Sequence, residues 1–221
     1  MQKSIIITAG GIGKRMGAKI PKQFLKIGEY PILYLTLKRF NDFDPNAQFI
    51  VTLPEDWIAF WEELISPLPT IKHTVISGGI ERYDSIKNAL KKCNGELIAV
   101  HDGVRPFVSD STLKNAFRLA EEKGSAIPTL PLKESLRKLS EMGNCALDRS
   151  AYVSVQTPQV FQKDILTSAY ELAFSKEITD DASLVEKAGF TIHLSPGNEE
   201  NIKITSPVDL KIAELYINLL H

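Results

Sequence analysis

Apolar runs of strand length recur along the chain at Ser4–Thr8, Gln48–Leu53, His73–Ile76, Leu97–His101, Ala126–Leu130 and Phe190–Leu194. Between them lie stretches with helical spacing of apolar positions, at Ile32–Phe40, Asp56–Ile65, Arg82–Lys92 and Ser111–Lys123. Pro54-Glu55-Asp56 opens one of these with a proline and first-turn acids, a good helix start. Ser206-Pro207-Val208-Asp209 opens a last helix, apolar at Leu210, Ala213, Leu215, Ile217 and Leu220. Strands that alternate with helices predict an α/β fold, with a mostly parallel sheet covered by helices on both faces. In such folds ligands bind beyond the carboxyl ends of the strands.

Residues 132–155 depart from this rhythm. Leu132–Leu139 alternates roughly apolar and polar, Met142-Gly143-Asn144 reads as a turn, and a second strand segment ends at Val153-Ser154-Val155. Two short strands about a Gly-Asn turn make a β-arm protruding from a single domain of residues 1–221. A two-stranded ribbon alone is marginal in water, so packing on a partner subunit is expected.

Chemistry concentrates after the first strand. Ala9-Gly10-Gly11-Ile12-Gly13-Lys14-Arg15-Met16-Gly17 places four glycines beside Lys14 and Arg15, and Pro21-Lys22-Gln23-Phe24 adds Lys22. Glycines let backbone N–H groups approach an anion, and the cations match phosphate oxygens. The stretch is neither a dinucleotide fingerprint, which its glycine spacing misses by one residue, nor a P-loop, because Arg15 stands where that loop needs Ser or Thr. Gly78-Gly79 and Asp102 each follow a predicted strand and should converge with this loop. Asp102, at a strand end, is the candidate ligand for Mg²⁺ between triphosphate oxygens. His101 reads as a packed strand-end histidine, and Arg105 as a local ion-pair partner.

Composition narrows the partners. The 221 residues carry 26 basic and 27 acidic side chains, a net charge of −1, which argues against nucleic acid or a membrane surface. Hydrophobic residues at 43% suffice for a sizeable core. Cys93 and Cys145 make no disulfide framework, and no membrane-span or signal-peptide pattern is present, so a cytoplasmic location is expected.

The A-G-G-x-G-x-R-M-G and P-K-Q-F segments resemble the sugar-phosphate cytidylyltransferases, in particular the 2-C-methyl-D-erythritol 4-phosphate cytidylyltransferase family. Five later segments match in order: Gly78–Ser85, Val100–Phe107, Thr157–Phe161, Thr179–Ser183 and Asn201–Thr205. The resemblance implies a Rossmann-like fold and a homodimer formed through the arm. It also implies CTP as donor, a polyol phosphate as acceptor and a divalent cation. Arg15 and Lys22 would be catalytic, stabilising the α-phosphate in the transition state. Ala9, Gly10, Gly11, Gly13, Lys14, Gly78, Gly79, Ser85, Asp102 and Gly103 would bind the nucleotide. Arg149 and Lys203 would hold the attacking phosphate, Arg149 in the partner's site, with Ser135, Thr157 and Thr179 near the polyol.

Thr8, Gly10, Gly103 and Glu134-Ser135 depart from the family pattern while retaining size or hydroxyl. Ribitol 5-phosphate cytidylyltransferases share Ala9–Gly13 and Val104–Phe107, and a non-catalytic nucleotide-binding regulator is a further alternative. Thr179-Asp180-Asp181-Ala182-Ser183 favours the methylerythritol acceptor.

Overall fold

A computed structural model describes residues 1–11 and 20–220. In chain order its strands are Lys3–Thr8 (β1), Lys26–Ile27 (β2), Tyr30–Pro31 (β3), Gln48–Leu53 (β4), Thr74–Ser77 (β5) and Leu97–Asp102 (β6). Ser125–Pro131 (β7), Leu136–Ser140 (β8), Gly143–Leu147 (β9), Val153–Val155 (β10), Gln159–Gln162 (β11) and Leu194–Pro196 (β12) follow. The helices are Ile32–Phe43 (α1), Ile58–Ile65 (α2), Arg82–Leu90 (α3), Asp110–Lys123 (α4), Lys163–Ala169 (α5), Asp181–Lys187 (α6) and Pro207–Leu220 (α7).

Eight strands form one sheet in the order β10-β7-β11-β6-β1-β4-β5, with β12 paired to β7. β1, β4, β5 and β6 are parallel, and β11 runs antiparallel between β6 and β7. The central strands carry near-continuous apolar runs because both faces are covered. Alternation along β1 sends Ile5 and Ile7 to one face, against α1, α2 and α4, and Ile6 to the other, against α3, α5 and α6. Ser109 caps α4 by accepting from the Thr112 N–H, and Gly124 ends it in the left-handed region at φ 92°. Ser206 Oγ accepts from the Asp209 N–H at the start of α7, while Asp209 accepts from the N–H groups of Thr205 and Ser206. That helix buries Ala213 and packs Leu210, Tyr216 and Ile217 beside Val104, Phe107 and Ile204. Leu215, expected on its packing face, is 63% exposed, and Tyr216 sits edge-on to Phe107 instead.

Three further expectations are corrected. The arm's turn lies at Glu141-Met142, since Ser140 pairs with Gly143, whose φ is 125°. Val153–Val155 leaves the arm and joins the main sheet beside β7. The last predicted strand is shifted: Phe190 and Ile192 pack against the core, and pairing with β7 begins at Leu194.

Candidate functional site

The register brings four strand ends to one edge of the sheet. Thr8 lies opposite both Thr52 and Asp102, and Leu53 opposite Ser77. One more backbone bond continues each ladder before the chain diverges: Ala9 N–H to Thr52 O, Gly78 N–H to Leu53 O and Gly103 N–H to Thr8 O. The loops after β1, β5 and β6 therefore open around a common cleft of about 300 Å³.

Each wall has a local cause. After β5, the Gly79 N–H donates to Ser85 Oγ, and Ser85 in turn donates to the Glu81 carbonyl. Glu81 and Asp84 form a reciprocal capping box at the start of α3. A Cβ on Gly79 would lie 2.1 Å from that of Asp84, so the loop tolerates no side chain there. Across the cleft, Lys22 begins a 3₁₀ turn whose Phe24 is buried among Trp57, Phe60 and Trp61. The amide of Gln23, fully buried, donates to the Ala9 carbonyl at 2.6 Å and ties this turn to the glycine loop.

Asp102 forms the floor. Its carboxylate accepts from Arg105 Nε at 2.9 Å and ion-pairs with Lys203 Nζ at 3.1 Å, while its N–H donates to Thr157 Oγ1. Burial alone would raise the carboxyl pKa, but Lys203, Arg105 and Arg82 outweigh it and hold the group well below the usual carboxylate range. Asp102 is thus charged at any physiological pH. His101, fully buried, donates from Nε2 to the Arg105 carbonyl and meets Phe40 edge-on. Burial pushes its pKa down to about 4, so it is a neutral structural histidine.

Of the residues expected from the sequence, Ala9, Gly10, Gly11, Lys22, Gly79, Ser85, Asp102 and Lys203 line the cleft. Gly78 and Gly103 stand behind it, Gly103 packed against Leu33 and Ala9. Thr157 lies beneath Asp102, and Thr179 lines a neighbouring cavity of about 360 Å³ that shares Glu81 and Arg82 with the cleft. Ser135 and Arg149 are exposed on the arm segment and line neither cavity. The Arg149 guanidinium donates to the Lys133 carbonyl. Gly13, Lys14 and Arg15 lie outside the described residues.

Arg82 carries no role in the sequence reading, although it follows the glycine loop directly. It stands between the two cavities and pairs at 2.6 Å with Asp181, which is fully buried and also accepts from the Tyr170 hydroxyl. Burial works against its charge, but Asp181 overcomes this and raises its pKa. A lone arginine at the first turn after a glycine loop was the available signal. Lys22, Arg82 and Lys203 together give the cleft a cationic rim in a chain of net charge −1. Among the described residues no group of three or more His, Cys, Asp or Glu is placed to hold a metal, and no helix is long and apolar enough to cross a membrane.

A family model described as 2-C-methyl-D-erythritol 4-phosphate cytidylyltransferase matches residues 4–219. A protein of that name from Bacteroides fragilis is 46% identical over 215 residues, covering 96% of this chain and 98% of its own length. One from Porphyromonas gingivalis is 46% identical over 216 residues, 96% of each chain. Among solved structures, the protein of that name from Thermus thermophilus gives a TM-score of 0.78 at 29% identity, covering 99% of this chain and 100% of that one. Its Francisella tularensis counterpart gives 0.80 at 28% identity, covering 97% and 99%. With its glycine-opened cationic cleft and these likenesses along almost its whole length, the chain belongs to the 2-C-methyl-D-erythritol 4-phosphate cytidylyltransferase family of nucleotidyltransferases.

Proposed function

We propose that the cleft joins CTP to 2-C-methyl-D-erythritol 4-phosphate, giving 4-diphosphocytidyl-2-C-methyl-D-erythritol and pyrophosphate. The observation that carries this is the meeting of Lys22, Arg82 and Lys203 around Asp102 in a cleft opened by glycines. An oxygen of the acceptor phosphate attacks the α-phosphorus, and the bond from that phosphorus to the oxygen bridging to the β-phosphorus breaks. Two polyanions must meet, so positioning and positive charge do most of the work. Lys22, together with Arg15, stabilises the charge on the α-phosphate at the transition state. Lys203 holds the attacking phosphate. Ala9, Gly10, Gly11 and Gly79 let the nucleoside lie close to the backbone, with Ser85 shaping that loop. Thr179, in the neighbouring cavity, faces the polyol, and Thr157 supports Asp102 from beneath.

Asp102 is the residue that would hold a divalent cation. A single deprotonated carboxylate fits Mg²⁺, which commonly takes one or two protein carboxylates and completes its shell with substrate phosphates and water. Bound there, such an ion would supply positive charge to offset that of the triphosphate.

The arm completes the site from a second copy of the chain. Its hairpin is largely exposed, with Leu139 80% and Met142 99% accessible, and such a ribbon gains from packing on a partner. Arg149 and Ser135 then serve the cleft of the partner subunit. The protein works in this reading as a single cytoplasmic domain with the arm as its insertion.

A pyrophosphate-release assay with CTP tests the reading. The expected result is turnover with 2-C-methyl-D-erythritol 4-phosphate, loss in excess EDTA and restoration by Mg²⁺. Preference for ribitol 5-phosphate would reassign the acceptor. Equal use of UTP or ATP would contradict the nucleotide assignment.

A further inference from the structure

Lys203 stands in a segment without helix or strand, between β12 and α7, so no ladder fixes its backbone. Its neighbours do. The Ile204 N–H donates to the Val104 carbonyl at 3.0 Å, and Ile204 is fully buried with Val104, Phe107 and Ala213. On the other side Asn201 is fully buried as well, and its Nδ2 donates to the Thr157 carbonyl at 2.8 Å and to Gln156 Oε1 at 3.3 Å. The Asn201 carbonyl accepts from Arg105 Nη1 at 2.7 Å.

These bonds close a circuit. Arg105 reaches from the Asn201 carbonyl to the Asp102 carboxylate, the Asp102 N–H reaches Thr157 Oγ1, and the Thr157 carbonyl returns to the Asn201 amide. Lys203 extends from this ring with its ammonium 3.1 Å from Asp102. The Asn201 Oδ1 is buried without a hydrogen-bond partner among the described residues, so the side chain is held here for its N–H donors.

We propose that Asn201 is a positioning residue that fixes Lys203 over Asp102, and so sets the affinity of the cleft for the phosphate of the acceptor. This rests on the role given to Lys203 above. Removing the donor frees the backbone two residues before the lysine while leaving the cleft's other cations in place. The effect should therefore fall on the acceptor and spare the nucleotide.

A double-mutant cycle of Asn201→Ala with Lys203→Ala, read by the KM of each substrate and by thermal melting, tests it. Asn201→Ala should raise the acceptor KM about 10-fold and leave the CTP KM within about two-fold, and it should add nothing further in the Lys203→Ala background. Should Asn201→Ala fail to fold, Asn201→Leu, which keeps the bulk of the side chain and removes the donor, carries the same cycle. An unchanged acceptor KM, an equal rise in both KM values, or effects that multiply in the double variant would overturn the proposal. A Lys203→Ala variant with a normal acceptor KM would overturn the role of Lys203 and this proposal with it. The multiplicative outcome overturns the role of Asn201 alone.

Discussion

Asp102 in the cleft and Arg149 on the arm are both charged, yet the fold treats them in opposite ways. The Asp102 side chain is 11% exposed and gripped by Arg105 and Lys203, while its backbone is pinned to Thr157. Arg149 is exposed and reaches a carbonyl of its own arm segment, away from the cleft. The contrast separates what one chain can orient from what it must offer to another molecule. In the cleft, buried bonds fix the charges before any substrate arrives, which is what electrostatic catalysis requires. On the arm, the side chains that would touch substrate lack such a frame. A second subunit would supply it.

The largest effect should come from the cleft wall. Lys22→Ala should lower kcat by 10²-fold or more, about 3 kcal/mol in the barrier, with far smaller changes in either KM. A raised KM for CTP at normal kcat would make Lys22 a ground-state contact. Next comes the pair behind the cleft. Arg82→Ala leaves the buried Asp181 carboxylate without its cation and should cost about 3 kcal/mol of stability by urea unfolding. Adding Asp181→Asn should recover much of that loss, and failure to recover would mean that the charge pairing is not what Arg82 contributes.

A comparable term is pH-dependent. His101 has a folded pKa of about 4 against 6.5 for the free side chain. Between these values the unfolded chain binds a proton that the folded chain excludes. Stability is therefore full above pH 6.5 and falls as pH drops toward 4, by at most about 3 kcal/mol. Urea midpoints for wild type and His101→Asn should diverge in slope only within that window. Parallel slopes would contradict the buried neutral state. The smallest effect belongs to the arm tip. Met142→Ser should change the stability of a single chain by less than about 0.5 kcal/mol, since Met142 is 99% exposed.

Much of this frame was legible in the residues. Gln48–Leu53 is apolar enough to appear in the sequence with its observed bounds, and Asp102 and Gly78 fall at strand ends as expected. Short or polar-edged elements escaped. β11 reads Gln-Val-Phe-Gln, with two apolar residues that send Val160 and Phe161 to opposite faces, too brief to show a period. β10 was assigned to the arm because its alternation fits either sheet, and only its pairing with β7 decides. Lys22 was legible as a cation beside the glycine-rich stretch, and Lys203 through the family resemblance of Asn201–Thr205. What Arg82 and Asn201 hold was not legible, because their partners lie 99 and 44 residues away, at Asp181 and Thr157.

The most direct test of a site divided between cleft and arm is subunit mixing. Arg149→Ala chains and Lys22→Ala chains, each inactive alone, are combined and allowed to exchange. With random exchange half of the dimers are mixed, and each holds one cleft with intact Lys22 facing an arm with intact Arg149. About a quarter of wild-type activity should therefore return. No recovery after verified exchange, or a monomer at micromolar concentration by ultracentrifugation, would contradict the shared site.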